Sequence, residues 1–267
     1  MRSRPLLTYF LLAFAMTWSA AAGAIFASDW FTRTFGQLDA SNPVFFAAVY
    51  APSFLAILLT GLFEGRAGLR VLFARLDPRR CHPVWYLVVF GGFLGLTAAA
   101  GWIGFLVGGP APVWHVSGAA GALAGGLFLD PGPLGEELGW RGFALPRMLR
   151  RWTPLTASLI LGVIWGVWHL PAFYVSTLGQ SQLSFPIFIL GATSLSVVTC
   201  WLFLKSKGSV LIAILTHLMA NHAGDVTGGS FNQMTYGLAL VAVVLVLTGQ
   251  LRPESEAEHQ PVPSAPI

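Results

Sequence analysis

Charge is scarce in this sequence. Of 267 residues only 10% are Asp, Glu, Lys or Arg, and 55% are hydrophobic; an ordinary soluble domain carries roughly a quarter charged residues. A chain this apolar is not a soluble domain. Cysteine is scarcer still, since Cys81 and Cys200 lie far apart in no CxxC or Cys/His spacing. That excludes a disulfide framework and a structural zinc site. Several catalytic signatures are missing as well: there is no HExxH pair of metal ligands on one helix, no GxSG serine nucleophile and no GxGD aspartate. The nearest run to the last is His222-Ala223-Gly224-Asp225. No internal repeat and no long linker divides the chain.

Apolar runs long enough to cross a hydrocarbon core of about 30 Å recur along nearly the whole length. They fall at 6–27, 44–63, 84–107, 118–140, 155–172, 185–204, 209–223 and 234–251. The first follows Arg2 and Arg4 and contains a small-residue stretch, Ala20 to Ala24, but it is longer than a signal-peptide core and reads as an uncleaved span. The fourth is interrupted by Asp130, Pro131 and Pro133. A break at membrane depth is tolerated only where protein or a water-filled cavity satisfies the freed backbone groups.

The net charge of +4 does not indicate nucleic acid, because the basic residues sit in short clusters between apolar runs. Arg2 and Arg4 precede the first run; Arg66, Arg70, Arg75, Arg79 and Arg80 follow the second. Arg147, Arg150 and Arg151 follow the fourth, Lys205 and Lys207 the sixth, and Arg252 the eighth. Every second loop is basic, which puts these loops and both termini in the cytoplasm. The expectation is an all-α, polytopic membrane protein with about eight transmembrane helices, integral to a bacterial cell membrane. One domain covers 1–251, and 252–267, rich in Pro, Glu and Ser, reads as a short disordered cytoplasmic tail.

Five of the eight runs contain no Asp, Glu, Lys, Arg or His, as expected when a charge at the bilayer centre costs about 2.5 to 3.5 kcal/mol. The exceptions stand out. The fourth run and its continuation hold Glu136, Glu137 and Arg141; the fifth holds His169; the seventh holds His217, Asn221 and His222. Positions four apart share a helix face and adjacent ones diverge by about 100°. Glu137 can therefore pair with Arg141, leaving Glu136 free of that cation, and His217 shares a face with Asn221. Trp165 sits one turn before His169. Counted from the basic loops at about 1.5 Å per residue, Glu136 lies roughly 16 Å deep, His169 roughly 21 Å, and His217 with Asn221 roughly 15 to 21 Å. The three spans bring these residues to one depth near the membrane middle, with the approach expected from the cytoplasm. His222, on another face, reads as structural, and Asp130 as a helix cap.

The run Glu136-Glu137-Leu138-Gly139-Trp140-Arg141 resembles the EExxxR motif of the CAAX prenyl protease and bacteriocin-processing (CPBP, or Abi) family of intramembrane glutamic endopeptidases. His169 is similar to the histidine of that family's FxxxH motif, and His217 with Asn221 to its HxxxN motif. The resemblance covers about 118–223. Trp165 stands where the family usually has Phe, and Trp140 where Phe commonly precedes the arginine; both keep a large aromatic, so packing should change more than chemistry.

The resemblance implies a metal-independent intramembrane protease with no cofactor, acting on a peptide or protein that is membrane-embedded or lipidated. Glu136 would be the base that activates water, His169 its partner, and His217 with Asn221 the pair that stabilises the oxyanion. Glu137, Arg141 and Trp165 would support them. The chemistry is coherent, because a carboxylate in a low-dielectric site is a stronger base than one in water. Competing readings are a zinc-dependent intramembrane protease, a proton-coupled transporter using the same groups as a relay, and a non-catalytic immunity or scaffold protein.

Overall fold

The computed structural model describes residues 5–115 and 117–252. Arg2, Arg4 and all but the first residue of the expected tail lie outside them. The described chain is all helix and loop: α1 (Pro5–Phe26), α2 (Ser28–Phe35), α3 (Pro43–Ala74), α4 (Val84–Leu106), α5 (Ala119–Leu129), α6 (Pro131–Glu137), α7 (Leu145–Leu149), α8 (Pro154–Trp168), α9 (Phe185–Lys205), α10 (Val210–Thr227) and α11 (Phe231–Leu247). A π-helical segment, Leu138–Ala144, joins α6 to α7 without a break.

Local chemistry sets these boundaries. Asn42, Asp130 and Thr153 each cap a helix with a side-chain oxygen and are followed by proline at the first helical position, where the missing N–H costs nothing. Ser209 caps α10, and Ser230 with Gln233 forms a reciprocal capping box on α11. Inside α3, Gly65 adopts φ 63° and kinks the helix, so that the membrane-length part ends near Glu64. Only glycine takes that backbone without strain.

Five helical stretches are long and apolar enough to cross a bilayer: Pro5–Phe26, Pro43–Ala74, Val84–Leu106, Pro154–Tyr174 and Phe185–Lys205. The molecule is thus an all-α membrane protein. The count of eight spans goes beyond what length and apolarity establish. The expected fourth span is realised as the broken series from α5 to α7. Helix α10 is diluted by His217, Asn221, His222 and Asp225, and α11 has only 17 residues. Helix α2 and the 3-10 turn Gly179–Gln182 occupy loops for which no structure was expected, and the end of the expected fifth span is the 3-10 turn Leu170–Tyr174.

Helix α10 lies at the centre, with every residue from Ile212 to Met219 buried, as befits a helix packed on all sides. It touches α4, α5, α6 and α9; α3 packs on α1, α6 and the π segment; α8 packs on α9, which also meets α11. Glycines permit the closest approaches. A Cβ at Gly135 would come within 2.9 Å of the Val49 carbonyl oxygen, and one at Gly139 within 2.6 Å of the Pro52 carbonyl. On α8 the same spacing recurs, where a Cβ at Gly162 would meet the Thr193 Cα at 2.6 Å and one at Gly166 the Ile189 side chain at 2.6 Å. Both pairs are GxxxG spacings, the close-contact pattern of membrane helices.

The two ends of the bundle differ in charge. At one end Arg75 is buried among cations: burial, then Arg80, Arg147 and Arg150, hold its guanidinium down to about 10 despite nearby Glu64. Its carbonyl accepts from the amides of Val210 and Leu211. That ties the end of α3 to the start of α10.

Candidate active site

The site begins at the break between α5 and α6. Asp130 accepts a hydrogen bond from the Gly132 amide at 2.9 Å and caps α6, as the sequence suggested. The short helix ends on Glu136 and Glu137, 3% and 0% exposed, and the π segment then carries Arg141. Arg141 donates to Glu137 Oε1 at 2.7 Å, so the expected pair forms, with Arg141 itself only 1% exposed. Isolated π turns inside helices are rare and concentrate at functional sites.

Glu136 points away from this pair. Its Oε2 accepts a hydrogen bond from the Trp165 indole N–H, and its Oε1 lies 3.8 Å from His169 Nε2. Trp165 therefore does more than replace an aromatic packing group. A phenylalanine has no donor, so the expectation that this departure alters packing more than chemistry is corrected. The face of the same ring covers the Arg141 guanidinium, whose carbon sits 4.5 Å from its centroid. His169 caps the end of α8, with Nδ1 2.9 Å from the Trp165 carbonyl. A carbonyl only accepts, so Nδ1 carries the proton and Nε2 of the neutral ring presents a lone pair toward Glu136. Trp168 and Phe188 wall the ring at 4.7 and 5.0 Å.

His217 arrives from α10. Its Nδ1 is 2.9 Å from Glu137 Oε1, the oxygen that also receives Arg141. The expected split between a working set and a supporting pair is therefore not clean, because Glu137 holds His217 as well as Arg141. His217 Nε2 faces Gly132: a Cβ there would lie 3.4 Å from His217 Nε2, 3.4 Å from Glu136 Oε1 and 3.2 Å from Asp130 Oδ1. The missing side chain leaves one point within reach of all three groups.

Asn221, one turn further on, donates to Asp130 Oδ2 at 2.7 Å. The same oxygen lies 3.1 Å from His222 Nε2, and His222 Nδ1 is 3.0 Å from Asp225. Sequence reading set His222 and Asp130 aside as structural, yet they form a chain of polar contacts that holds Asn221. The signal was available in part, since three ionisable or amide residues within five positions of one apolar helix are unusual. Among the described residues, no group of three or more His, Cys, Asp and Glu side chains is placed to hold a metal ion.

These residues lie on one cavity of about 1050 Å³. Glu136, Trp165, His169, His217, Asn221, His222, Asp130 and Asp225 all line it, together with α1, α3, α5, α9, α11 and the turns near 38–40 and 177–183. The lining comes from the end of the bundle opposite the basic loops. The expected approach from the basic side is thereby corrected: depth counted along each helix could not say toward which end the helices splay.

Residues 120–223 match the family of Rce1-like type II CAAX prenyl endopeptidases. A curated relative, CAAX prenyl protease 2 of Methanococcus maripaludis, is 30% identical over 92 residues, which is 32% of this chain and 34% of that protein. Over this interval the chain is similar to CAAX prenyl endopeptidases. The aligned part spans about a third of the curated relative's length. The matched interval runs from α5 through most of α10 and carries Asp130, Glu136, Glu137, Arg141, His169, His217 and His222, whereas Asp225 lies just beyond it. The cavity walls from α1, α3 and α11 lie outside it.

Proposed function

We propose that this protein is an intramembrane endopeptidase in which Glu136 activates the attacking water. The observation that carries the reading is the division of labour between two adjacent buried carboxylates: Glu137 is taken by Arg141 and His217, whereas Glu136 faces the cavity and is held by the Trp165 indole, with His169 beside it. The name of the curated relative supports the reaction class.

Glu136 Oε1 and His169 Nε2 are both acceptors 3.8 Å apart, a separation that a single bridging water spans. Such a water donates one hydrogen to each and keeps an oxygen lone pair for the substrate. Glu136 removes a proton as the oxygen bonds to the carbonyl carbon, and the carbonyl electrons move to its oxygen. His217 Nδ1 must donate to the Glu137 carboxylate, so Nε2 donates to that oxyanion when the ring is an imidazolium, with Glu137 as its counter-ion. The second amide hydrogen of Asn221 supplies another donor. Glu136 then returns the proton to the amide nitrogen as the C–N bond breaks, leaving a carboxylic acid, which keeps the second hydrogen of the water, and an amine. Each oxyanion donor contributes about 3 to 4 kcal/mol in comparable sites.

In purified protein Glu136→Gln, His169→Ala and His217→Ala should each abolish cleavage with the thermal unfolding transition retained, and Asn221→Ala should slow it by about a hundredfold. Activity that vanishes with chelator and returns with zinc would favour a metalloprotease instead.

A further inference from the structure

The cavity and the basic residues occupy opposite ends of the molecule. Arg66, Arg70, Arg75, Arg79 and Arg80, then Arg147, Arg150 and Arg151, then Lys205 and Lys207 all fall in one set of alternate connections and the helix ends that flank them. The cavity contains none of them and no other Lys or Arg. Its mouth is built by the other set: Leu38 before α3, Gly179 and Gln180 between α8 and α9, Asp225 in the last turn of α10, and Ser230 between α10 and α11. Loops rich in Lys and Arg stay in the cytoplasm. The mouth therefore faces the other side.

From this placement we infer that the cavity is loaded from the extracytoplasmic face, with an extended, non-anionic segment of a translocated or membrane-anchored polypeptide. The inference about substrate rests on the protease reading; the direction of the cavity does not. From Gly228 at the end of α10 down to His217 is about 16 Å of helix rise. About five residues of extended chain cover that distance, so a folded segment does not reach Glu136. The mouth also carries more carboxylates than cations, with His222 between Asp130 and Asp225. Asp130 and Asp225 line the cavity, and Asp29 and Asp39 lie in the preceding loop against a single cation, Arg33. A neutral or cationic segment suits that field, and an anionic chain terminus does not. A lipidated tail presented from the cytoplasm would meet the basic end, where the cavity has no opening residues.

Two measurements separate the direction from the activity. With Cys81 and Cys200 replaced by alanine, Gly179→Cys at the mouth and Arg79→Cys at the basic end are exposed to a membrane-impermeant maleimide on intact cells. Gly179→Cys should label at least tenfold more than Arg79→Cys, which should label fully only after permeabilisation; the reverse pattern overturns the inference. In sealed vesicles, a pool of quenched ten-residue peptides carrying lysine but no Asp, Glu or free carboxyl terminus is then added outside. Glu136-dependent cleavage should be at least tenfold faster in right-side-out than in inverted vesicles. Cleavage confined to inverted vesicles overturns the inference. Absence of Glu136-dependent cleavage even after detergent overturns the protease reading and the substrate class, while the labelling still decides the direction.

Discussion

Trp165 joins the two halves of the polar cluster, its N–H on Glu136 and its ring face over Arg141. A buried hydrogen bond to a carboxylate contributes about 1.5 to 3 kcal/mol. Trp165→Phe should therefore lower stability by about 2 kcal/mol in denaturation of the detergent-solubilised protein. A cycle with Glu136→Gln should show coupling of at least 0.5 kcal/mol, whereas additive effects would mean that the two side chains do not interact. Glu137 is the more dangerous residue to change. Glu137→Gln leaves the buried Arg141 without its carboxylate, and breaking such a pair costs about 3 to 5 kcal/mol. Adding Arg141→Met should restore most of that loss, measured by the same unfolding transition, because a buried pair replaced by apolar or neutral groups is often close to neutral. The i, i+4 spacing made the Glu137–Arg141 pair legible in the sequence. The contacts of His217 with Glu137 and of Asn221 with Asp130 were not, since they join positions 80 and 91 residues apart and depend on how helices rotate against each other.

Among elements, α6 with its π continuation and α8 are positioned by glycines rather than by long side chains. Their backbones sit directly against α3 and α9, which fixes where Glu136 and Trp165 meet. A methyl at Gly162 has backbone of α9 in its path at 2.6 Å, so the helices must part. Gly162→Ala should destabilise by about 1 to 3 kcal/mol and reduce cleavage, read by unfolding and turnover of the same preparation. The equivalent change at Gly91, whose Cβ would meet nothing within 4 Å, should leave both near their starting values. The helix starts at Asn42-Pro43, Asp130-Pro131 and Thr153-Pro154 are readable as cap-proline pairs. The π segment is not, because no residue in Leu138–Ala144 demands the extra residue per turn; packing of Trp140 against Tyr9, at 5.5 Å and 84°, accompanies it. The two GxxxG spacings were visible in the sequence and would have predicted which helices approach most closely.

At the scale of the whole molecule, apolar runs located α1, α4, α8, α9, α10 and α11 to within a few residues, because a bilayer leaves a span little freedom in composition; α3 runs on to Ala74, eleven residues past its expected end. Alternating basic loops likewise ordered the ends. What the runs did not contain was the direction in which the bundle opens. That depends on α5 leaning on α10 and α6 while α1 and α3 form the facing wall, a matter of packing between distant segments. The region matched to the family carries the polar cluster, whereas much of the cavity wall is built by segments outside it. The polar cluster and much of the cavity wall thus come from different parts of the chain. Hydrolysis of peptide bonds in the membrane by Glu136 is tested most directly by a quantitative comparison of protein N-termini in membranes from cells carrying either the native protein or Glu136→Gln at equal abundance. A set of new N-termini present with the native protein and lost with Glu136→Gln is the predicted result. Identical N-termini in the two membranes, with both proteins folded, would contradict it.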